Sequence, residues 1–316
     1  MLNFLLKRTG TMIVTAICLT FIVFLLTNLA PNLERLAKEQ ASSRMSDEQV
    51  ATWLTGHGYD RPVVLRYGEW LGDVANGDLG HSTRFNRPVN EIIGQRLGNT
   101  GWLMFWVMIT MVPMALLIGV LAGMKEGSKT DRGLSALSIV TTATPEYVSG
   151  VVLIAVFATS FGGLKWFKGT ATSAEEAITF ANFTLPVLTM ALYGMGYIAR
   201  MTRASMAEVM TSQYIRTARL KGVSTFGIVV KHALRNALIA PFTVIMLQFP
   251  WLLTGVVIVE TLFNYKGFGW VLVEAALNND IDLVLACSVV AVFVVLSTQL
   301  ISDIGYVYLN PRIRVR

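Results

Sequence analysis

Six long stretches of this sequence contain almost no charged side chains. Five contain none and one contains only Glu146; the stretches are residues 9–33, 97–124, 133–164, 177–199, 236–259 and 283–302. About 20 apolar residues in a helix are enough to cross the hydrocarbon core of a bilayer. Because lipid offers no hydrogen-bond partners to the backbone, each stretch must be helical. The sequence therefore predicts an all-α integral membrane protein with six transmembrane helices.

The charged residues give the orientation of these helices. If the N-terminus lies inside, the inner segments are 1–8, 125–132, 200–235 and 303–316, which hold fifteen Lys and Arg against four acidic residues. The two short outer loops, 165–176 and 260–282, hold three Lys against six acidic residues. Lys and Arg accumulate on the inner side of membrane proteins. The pattern predicts that both termini lie inside, and it explains the net charge of +6 without a nucleic-acid partner.

Three parts of the chain can be distinguished. Residues 1–33 comprise the N-terminal segment and a first transmembrane helix, which is too long for a signal peptide and lacks a cleavage pattern. Residues 34–96 form an outer segment, in which Ser46 to Gln49 resemble a capping box, Gly56 or Gly58 would end the helix, and Pro62 would open a second one. We expect a small helical cap that gates, docks a partner or is a plain surface appendage. Residues 97–316 form a core with five more membrane helices.

Catalytic and cofactor motifs are missing from this sequence. It has no HExxH and no GxSxG, and His57, His81 and His232 are too scattered to predict a metal site. The run Gly127-Ser128-Lys129-Thr130 looks like the end of a phosphate-binding loop, but that motif requires glycine directly before the lysine. We expect no enzyme activity, no cofactor and no nucleotide binding in this chain. Gly119 and Gly123 form a GxxxG pattern that predicts close packing of two helices.

The inner loop 200–235 is too long for a simple turn. On a helical wheel, Thr211, Tyr214, Ile215, Ala218 and Gly222 share one face, while Arg216 and Arg219 lie on another. Gly222 suits the end of a helix, and the cations of the last turn complement the helix dipole. These features predict a short amphipathic helix that has a face of small residues, and we expect this helix to be presented to the cytosol. It could lie on anionic lipid or dock a partner protein, and the pattern does not choose between them.

A resemblance to a known family favours docking. Residues 214–224 and 232–238 resemble the EAA loop of binding-protein-dependent ATP-binding-cassette (ABC) permeases, most of all the oligopeptide, dipeptide and nickel branch. The glutamate and first alanine of that motif are replaced here by Arg216 and Thr217. Further similarities run in family order along nearly the whole chain: residues 78–82, 87–89, 96–97, 199–204, 259–263, 267–269 and 310–314.

The resemblance implies a type I ABC importer permease in a bacterial inner membrane, with partners that supply energy and cargo. These are a sister permease, two ATP-binding subunits (or one as a homodimer) and an extracytoplasmic substrate-binding protein that delivers peptides. Residues 211–224 would be the coupling helix, with Tyr214, Ile215, Arg216, Thr217, Ala218, Arg219, Lys221 and Gly222 as the candidate contacts to the ATPase. A nickel permease of the same family is the alternative cargo. A membrane-embedded enzyme and a stand-alone channel are disfavoured, by the missing catalytic groups and by the coupling helix respectively.

Glu146 is the single charged residue in the stretch 133–164. A charge in mid-membrane costs about 2.5–3.5 kcal/mol and normally faces protein or water. Pro145 before it removes a backbone donor and predicts a bend in this helix. One hypothesis is that Glu146 lines the translocation path; the other is that the helix begins near Tyr147 and Glu146 rests at the inner interface.

Overall fold

The structure is a computed structural model that describes residues 2–159 and 165–309, with all side chains in that range except those of residues 2–5, 250, 253–255 and 306–309. Helices make up most of the described chain, and the one strand pair is the short antiparallel ladder β1 (His81–Ser82) and β2 (Arg87–Pro88). The helices of the first half are α1 (Leu2–Thr27), α2 (Ala30–Gln40), α3 (Asp47–Gly56), α4 (Val63–Ala75), α5 (Val89–Gly123), α6 (Lys129–Ala143) and α7 (Glu146–Phe157).

The second half begins with a 3₁₀ turn, Thr172–Glu175, and contains a π-helix at Ile228–Ala233. Its α-helices are α8 (Phe180–Met210), α9 (Gln213–Leu220), α10 (Thr225–Gly227), α11 (Leu234–Ala237), α12 (Ile239–Leu262), α13 (Phe268–Leu277) and α14 (Ile281–Leu309). The resembling tail at residues 310–314 lies outside the described residues. So do residues 160–164 at the end of the third predicted span.

Three described helices are long and apolar enough to cross a membrane by themselves: Leu6–Thr27, Val89–Gly123 and Ile281–Gly305. Two further candidates are helix pairs bent at a short break, Lys129–Ala143 with Glu146–Phe157 and Thr225–Ala237 with Ile239–Phe249. The predicted span 177–199 lies in α8, which has 31 residues but is not apolar enough to be counted with the others. The described chain is thus an all-α membrane protein.

Two predicted spans differ in shape from the straight helices that the hydropathy pattern implies. The stretch 133–164 turns by 106° between α6 and α7, at the Pro145 that predicted a bend. Thr144 there has extended backbone angles, because a proline ring excludes the helical conformation from the residue before it. The first stretch, 9–33, also contains a break, since α1 ends at Thr27 and α2 starts at Ala30.

The chain forms two compact units, of which the first comprises residues 1–99 and 267–297. In this unit α4 packs on α1 through Tyr67, whose ring contacts those of Phe21 and Phe24 edge-on and whose hydroxyl bonds to Thr20. The predicted capping box at Ser46 and Gln49 is present, so the prediction of a helix start there is confirmed.

The resembling residues 78–82 also lie in the first unit, where they fasten the strand ladder to the start of α14. Ser82 Oγ donates to the buried Asp280 carboxylate at 2.5 Å, and the Arg84 amide donates to the same oxygen at 3.1 Å. Asp280 also accepts from the Leu283 amide, which caps α14. Gly80 has φ +85°, and a Cβ there would lie 2.8 Å from Asp282 Oδ2. Glycine is needed at position 80 because it adopts this backbone angle without strain and because it leaves room for Asp282.

The second unit comprises residues 100–266 and 298–316, and within it α5 and α6 each approach α8 closely. A Cβ on Gly119 would collide with Thr202 and come within 2.6 Å of the Ala199 carbonyl oxygen, and one on Gly123 would lie 2.6 Å from the Arg203 carbonyl oxygen. The predicted close packing at Gly119 and Gly123 is therefore confirmed, with α8 as the partner helix. Gly196 of α8 faces the backbone of α6 equally closely.

Gly119→Ala should destabilise the protein, whereas Gly101→Ala in the same helix should not. The new methyl group at position 119 forces α5 and α8 apart at a cost of about 1–3 kcal/mol. A Cβ at Gly101 meets nothing within 4 Å. Because alanine loses less conformational entropy than glycine on forming a helix, Gly101→Ala should raise the free energy of unfolding by about 0.5–1 kcal/mol. Thermal unfolding in detergent measures both changes. Equal shifts for the two variants would contradict the packing role of Gly119.

Candidate functional site

The predicted amphipathic helix is α9, which follows α8 after a two-residue turn. Its buried side chains are Ile215, with no exposed surface, and Ala218, which is 7% exposed. They pack in one cluster with Met206 and Met210 at the end of α8, and with side chains of the π-helix. Apolar contacts thus attach α9 to the end of a 31-residue helix.

The inward packing corrects one part of the sequence analysis. We expected Ile215 and Ala218 to be among the contacts to a partner, but these two side chains are buried inside the protein. The pattern was ambiguous because an apolar face can pack on its own chain or on a partner. The predicted contacts that remain exposed are Tyr214, Arg216, Thr217, Arg219, Lys221 and Gly222.

The C-terminus of α9 has a well-defined geometry. Gly222 has φ +78°, and its amide donates to the Arg219 carbonyl oxygen at 3.0 Å. The Val223 amide donates to the Ala218 carbonyl oxygen at 3.2 Å. These two bonds form a Schellman motif, which requires a residue in the left-handed conformation and strongly favours glycine. The prediction that Gly222 ends the helix is confirmed.

Two large apolar side chains next to this motif were missed by the sequence analysis. Leu220 is 82% exposed and Phe226 is 77% exposed. Leu220 lies off the apolar face of α9, and a leucine that breaks the amphipathic pattern was the available signal. Together with Arg216, Arg219 and Lys221, they form a surface that combines apolar anchors with positive charge, which we call the α9 surface.

Residues that follow α9 in the sequence also contact it, through one hydrogen bond and through a π-helix. Asn236 Nδ2 donates to the Tyr214 hydroxyl at 3.0 Å. Ile228 and Val229 of the π-helix are buried beside Ile215. Such wide turns are rare and occur often at functional sites. No pattern in the sequence predicted this one.

An ion pair joins the C-terminal part of α8 to the first turn of α6. Arg203 contacts Asp131 with two nitrogens, at 2.5 Å from Nε and 2.8 Å from Nη2. Asp131 is 2% exposed and also accepts the Gly127 amide at 2.8 Å. The run that resembles a phosphate-binding loop thus has the Gly127 N–H bonded to a carboxylate of its own chain. A carboxylate in this position repels a phosphate group, since both are anions.

Glu146 is the first residue of α7, directly after the 106° break. Its side chain is partly buried, and it forms no hydrogen bond or ion pair with any residue that the structure describes. A carboxylate in the first turn is favoured by the positive end of the helix dipole. The structure therefore shows a carboxylate at a helix start, as the interfacial hypothesis expects.

The chain also matches known proteins over most of its length. Residues 115–315 match the family described as binding-protein-dependent transport system inner membrane component. A probable peptide ABC transporter permease protein of Sinorhizobium fredii is 32% identical over 311 residues, which cover 98% of this chain and 99% of the relative. The oligopeptide transport system permease protein AppB of Bacillus subtilis is 32% identical over 320 residues, covering 99% of each.

A putative peptide transport system permease protein of Brucella abortus is 32% identical over 313 residues, 98% of each chain. The similarity to these relatives thus extends from end to end rather than being confined to one motif. The chain belongs to the family of inner membrane components of binding-protein-dependent transport systems. It is a transport subunit of an inner membrane, with the type I ABC importer permease fold.

Proposed function

We propose that this chain is one permease subunit of an ABC importer that moves peptides across the inner membrane. The observation that carries the proposal is the α9 surface, a short helix anchored to α8 by buried contacts and offering Leu220 and positive charge outward. The relatives that match it from end to end are named as peptide permeases. With no catalytic constellation predicted in its sequence, this chain requires an external source of energy.

That source, in this proposal, is a pair of ATP-binding subunits that receive α9. A sister permease forms the other half of the path, and an extracytoplasmic binding protein delivers the peptide. Nucleotide binds the two conformations of the complex with different affinity, and this difference drives the change of state. The side chains Tyr214, Arg216, Thr217, Arg219 and Lys221 supply the polar contacts, and Ile215 and Ala218 transmit the movement inward.

The proposed orientation places α9 and both termini on the cytosolic side, because Lys and Arg concentrate there. Cysteines at Asp60 and Thr225, each alone in a chain without Cys18 and Cys287, should differ in their reaction with an impermeant thiol reagent on intact spheroplasts. We expect labelling at position 60 and none at position 225 until the membrane is opened. The reverse result would overturn the orientation.

Gly222→Leu should uncouple ATP hydrolysis from uptake. In the wild-type complex we expect ATP-dependent uptake of a labelled oligopeptide. A leucine at φ +78° costs on the order of 1 kcal/mol or more and disturbs the Schellman end of α9. Uptake should therefore fall at least several-fold in reconstituted vesicles, while insertion and expression stay normal.

Gly77→Leu provides a matched control for this experiment. Gly77 has φ +84° and, like Gly222, has no neighbour within 4 Å of the place where a Cβ would lie, but it belongs to the outer segment. Backbone strain alone would affect both variants equally. Gly222→Asn, which tolerates the left-handed conformation, should retain more uptake than the leucine variant. Normal peptide uptake by well-expressed Gly222→Leu would contradict the coupling role of this residue. Uptake of nickel but not of peptide by the wild-type complex would contradict the proposed peptide cargo.

We further propose that Glu146 faces the translocation path at the contact with the sister permease. The support is an ionisable side chain without a described partner, partly buried at a break in a membrane helix. Such residues in membrane segments usually face water or protein.

Glu146→Gln keeps the side-chain volume and removes the charge. Uptake of peptides with a cationic residue should change several-fold relative to neutral peptides, while assembly with the partner subunits is unaffected. Competition between labelled peptides in reconstituted vesicles measures this selectivity. Unchanged uptake of every peptide tested would instead support the interfacial hypothesis.

A further inference from the structure

The outer part of the first unit contains a cavity of about 210 Å³ that the transport function does not use. Its walls come from the outer end of α1, from α4 and the turn before it, and from the start of α14. Phe24, Trp70 and Leu285 supply apolar surface. The polar residues that line it include Asn28, Tyr59, Arg66, Asp73 and Asp282.

Arg66 is the unusual residue in this cavity. It is 8% exposed, and its two described hydrogen bonds go to neutral acceptors: Asn28 Oδ1 at 2.6 Å from Nη1, and the Arg61 carbonyl oxygen at 3.2 Å from Nε. A guanidinium has five N–H donors, so three remain without an acceptor in the described part of the chain. No carboxylate there lies within ion-pair distance of Arg66. Burial lowers the pKa of Arg66, as expected for a cation removed from water.

The guanidinium is nevertheless held in place. It lies 5.5 Å from the centre of the Tyr59 ring and 6.0 Å from that of Phe24, and its bond to Asn28 ties it to the end of α1. Aromatic rings compensate only part of the cost of burying a cation. A fixed, buried guanidinium with free donors is therefore prepared to receive an anionic oxygen group, which it can bind with two parallel hydrogen bonds.

Groups of other chemistry lie around the same cavity. The Tyr59 hydroxyl forms no hydrogen bond with the residues that the structure describes, and burial, with a smaller effect of Asp282, raises its pKa, so it stays protonated. Asp282 is exposed, and its Oδ2 accepts a long bond of 3.4 Å from the His81 amide. Arg61 and Glu69 neutralise each other in an ion pair of 2.7 Å. The remaining charges are one guanidinium and the carboxylates of Asp73 and Asp282.

We propose that this cavity binds a small amphoteric group, with its anionic end on Arg66 and its protonated amine toward Asp282 and Asp73. A ligand with only a negative charge would be repelled by the two carboxylates. One with only a positive charge would leave the remaining N–H donors of Arg66 without an acceptor. A group with both charges is attracted at each end. Tyr59 donates a hydrogen bond to it, and Phe24 and Trp70 contact its apolar part.

The volume limits the ligand to roughly the size of one amino acid. Two sources offer this chemistry: a free α-amino acid, or the phosphoethanolamine headgroup of a membrane lipid. The position beside the outer ends of two predicted membrane helices is open to both. The proposal concerns the outer segment alone and does not depend on the identity of the transported cargo.

The test uses the full chain in nanodiscs of phosphatidylcholine and phosphatidylglycerol. One arm measures binding of radiolabelled L-leucine, and the other adds phosphatidylethanolamine and measures its retention by native mass spectrometry. Saturable binding in either arm supports the cavity and identifies the source of the ligand. Absence of binding in both arms overturns the proposal.

Variants assign the binding to this cavity. Arg66→Gln should weaken it at least tenfold, because charge-assisted hydrogen bonds are lost. Since that change also disturbs the bond to Asn28, Asp282→Asn and Tyr59→Phe are tested beside it and should each weaken binding several-fold. Arg44→Gln, a matched change of an exposed arginine in the same segment, should leave binding unchanged. Wild-type affinity in both Asp282→Asn and Tyr59→Phe would overturn the assignment.

Discussion

Close contact of α8 with both α5 and α6 is the constraint on which the second unit depends. Helices in lipid gain little from burying apolar surface, because the lipid tails are equally apolar, so association relies on close packing. Gly119, Gly123 and Gly196 make this approach possible by having no side chain where a neighbouring backbone passes. The ion pair of Arg203 with Asp131 then joins the C-terminal part of α8 to the start of α6. The result is a block that can transmit force.

The α9 surface depends on this block. Ile215 and Ala218 are buried against the end of α8, so the helix that would meet a partner is joined to a helix 31 residues long. The Schellman motif at Gly222 ends α9 sharply and leaves Leu220 and the positive side chains exposed. In the proposed function, this arrangement supplies the stiff connection through which a partner on α9 moves the membrane helices. The cavity around Arg66 belongs to the other unit and adds a separate question of ligand binding.

The structure shows why several of the residues that this chain shares with its family are needed. In residues 78–82, Gly80 leaves room for Asp282 and Ser82 bonds to the buried Asp280, which in turn caps α14. The glycine of the EAA-like loop occupies a left-handed position. These residues are required by backbone geometry and by hydrogen bonds of buried groups. Matching them along the chain is therefore informative about the fold, and it is less informative about the cargo.

The sequence by itself determined the class of protein, the starts of α3 and α4, and the end of α9. Long uncharged stretches, capping residues and a glycine in a left-handed position act through local physics that the order of residues already contains. The sequence also predicted a bend at Pro145. Only the tertiary structure decided that this bend amounts to 106°, that Ile215 and Ala218 face inward, and that Asp131 pairs with Arg203. Each of these depends on which surfaces meet in the folded chain. A periodic pattern shows that a helix has an apolar face, but it does not show which neighbour covers that face.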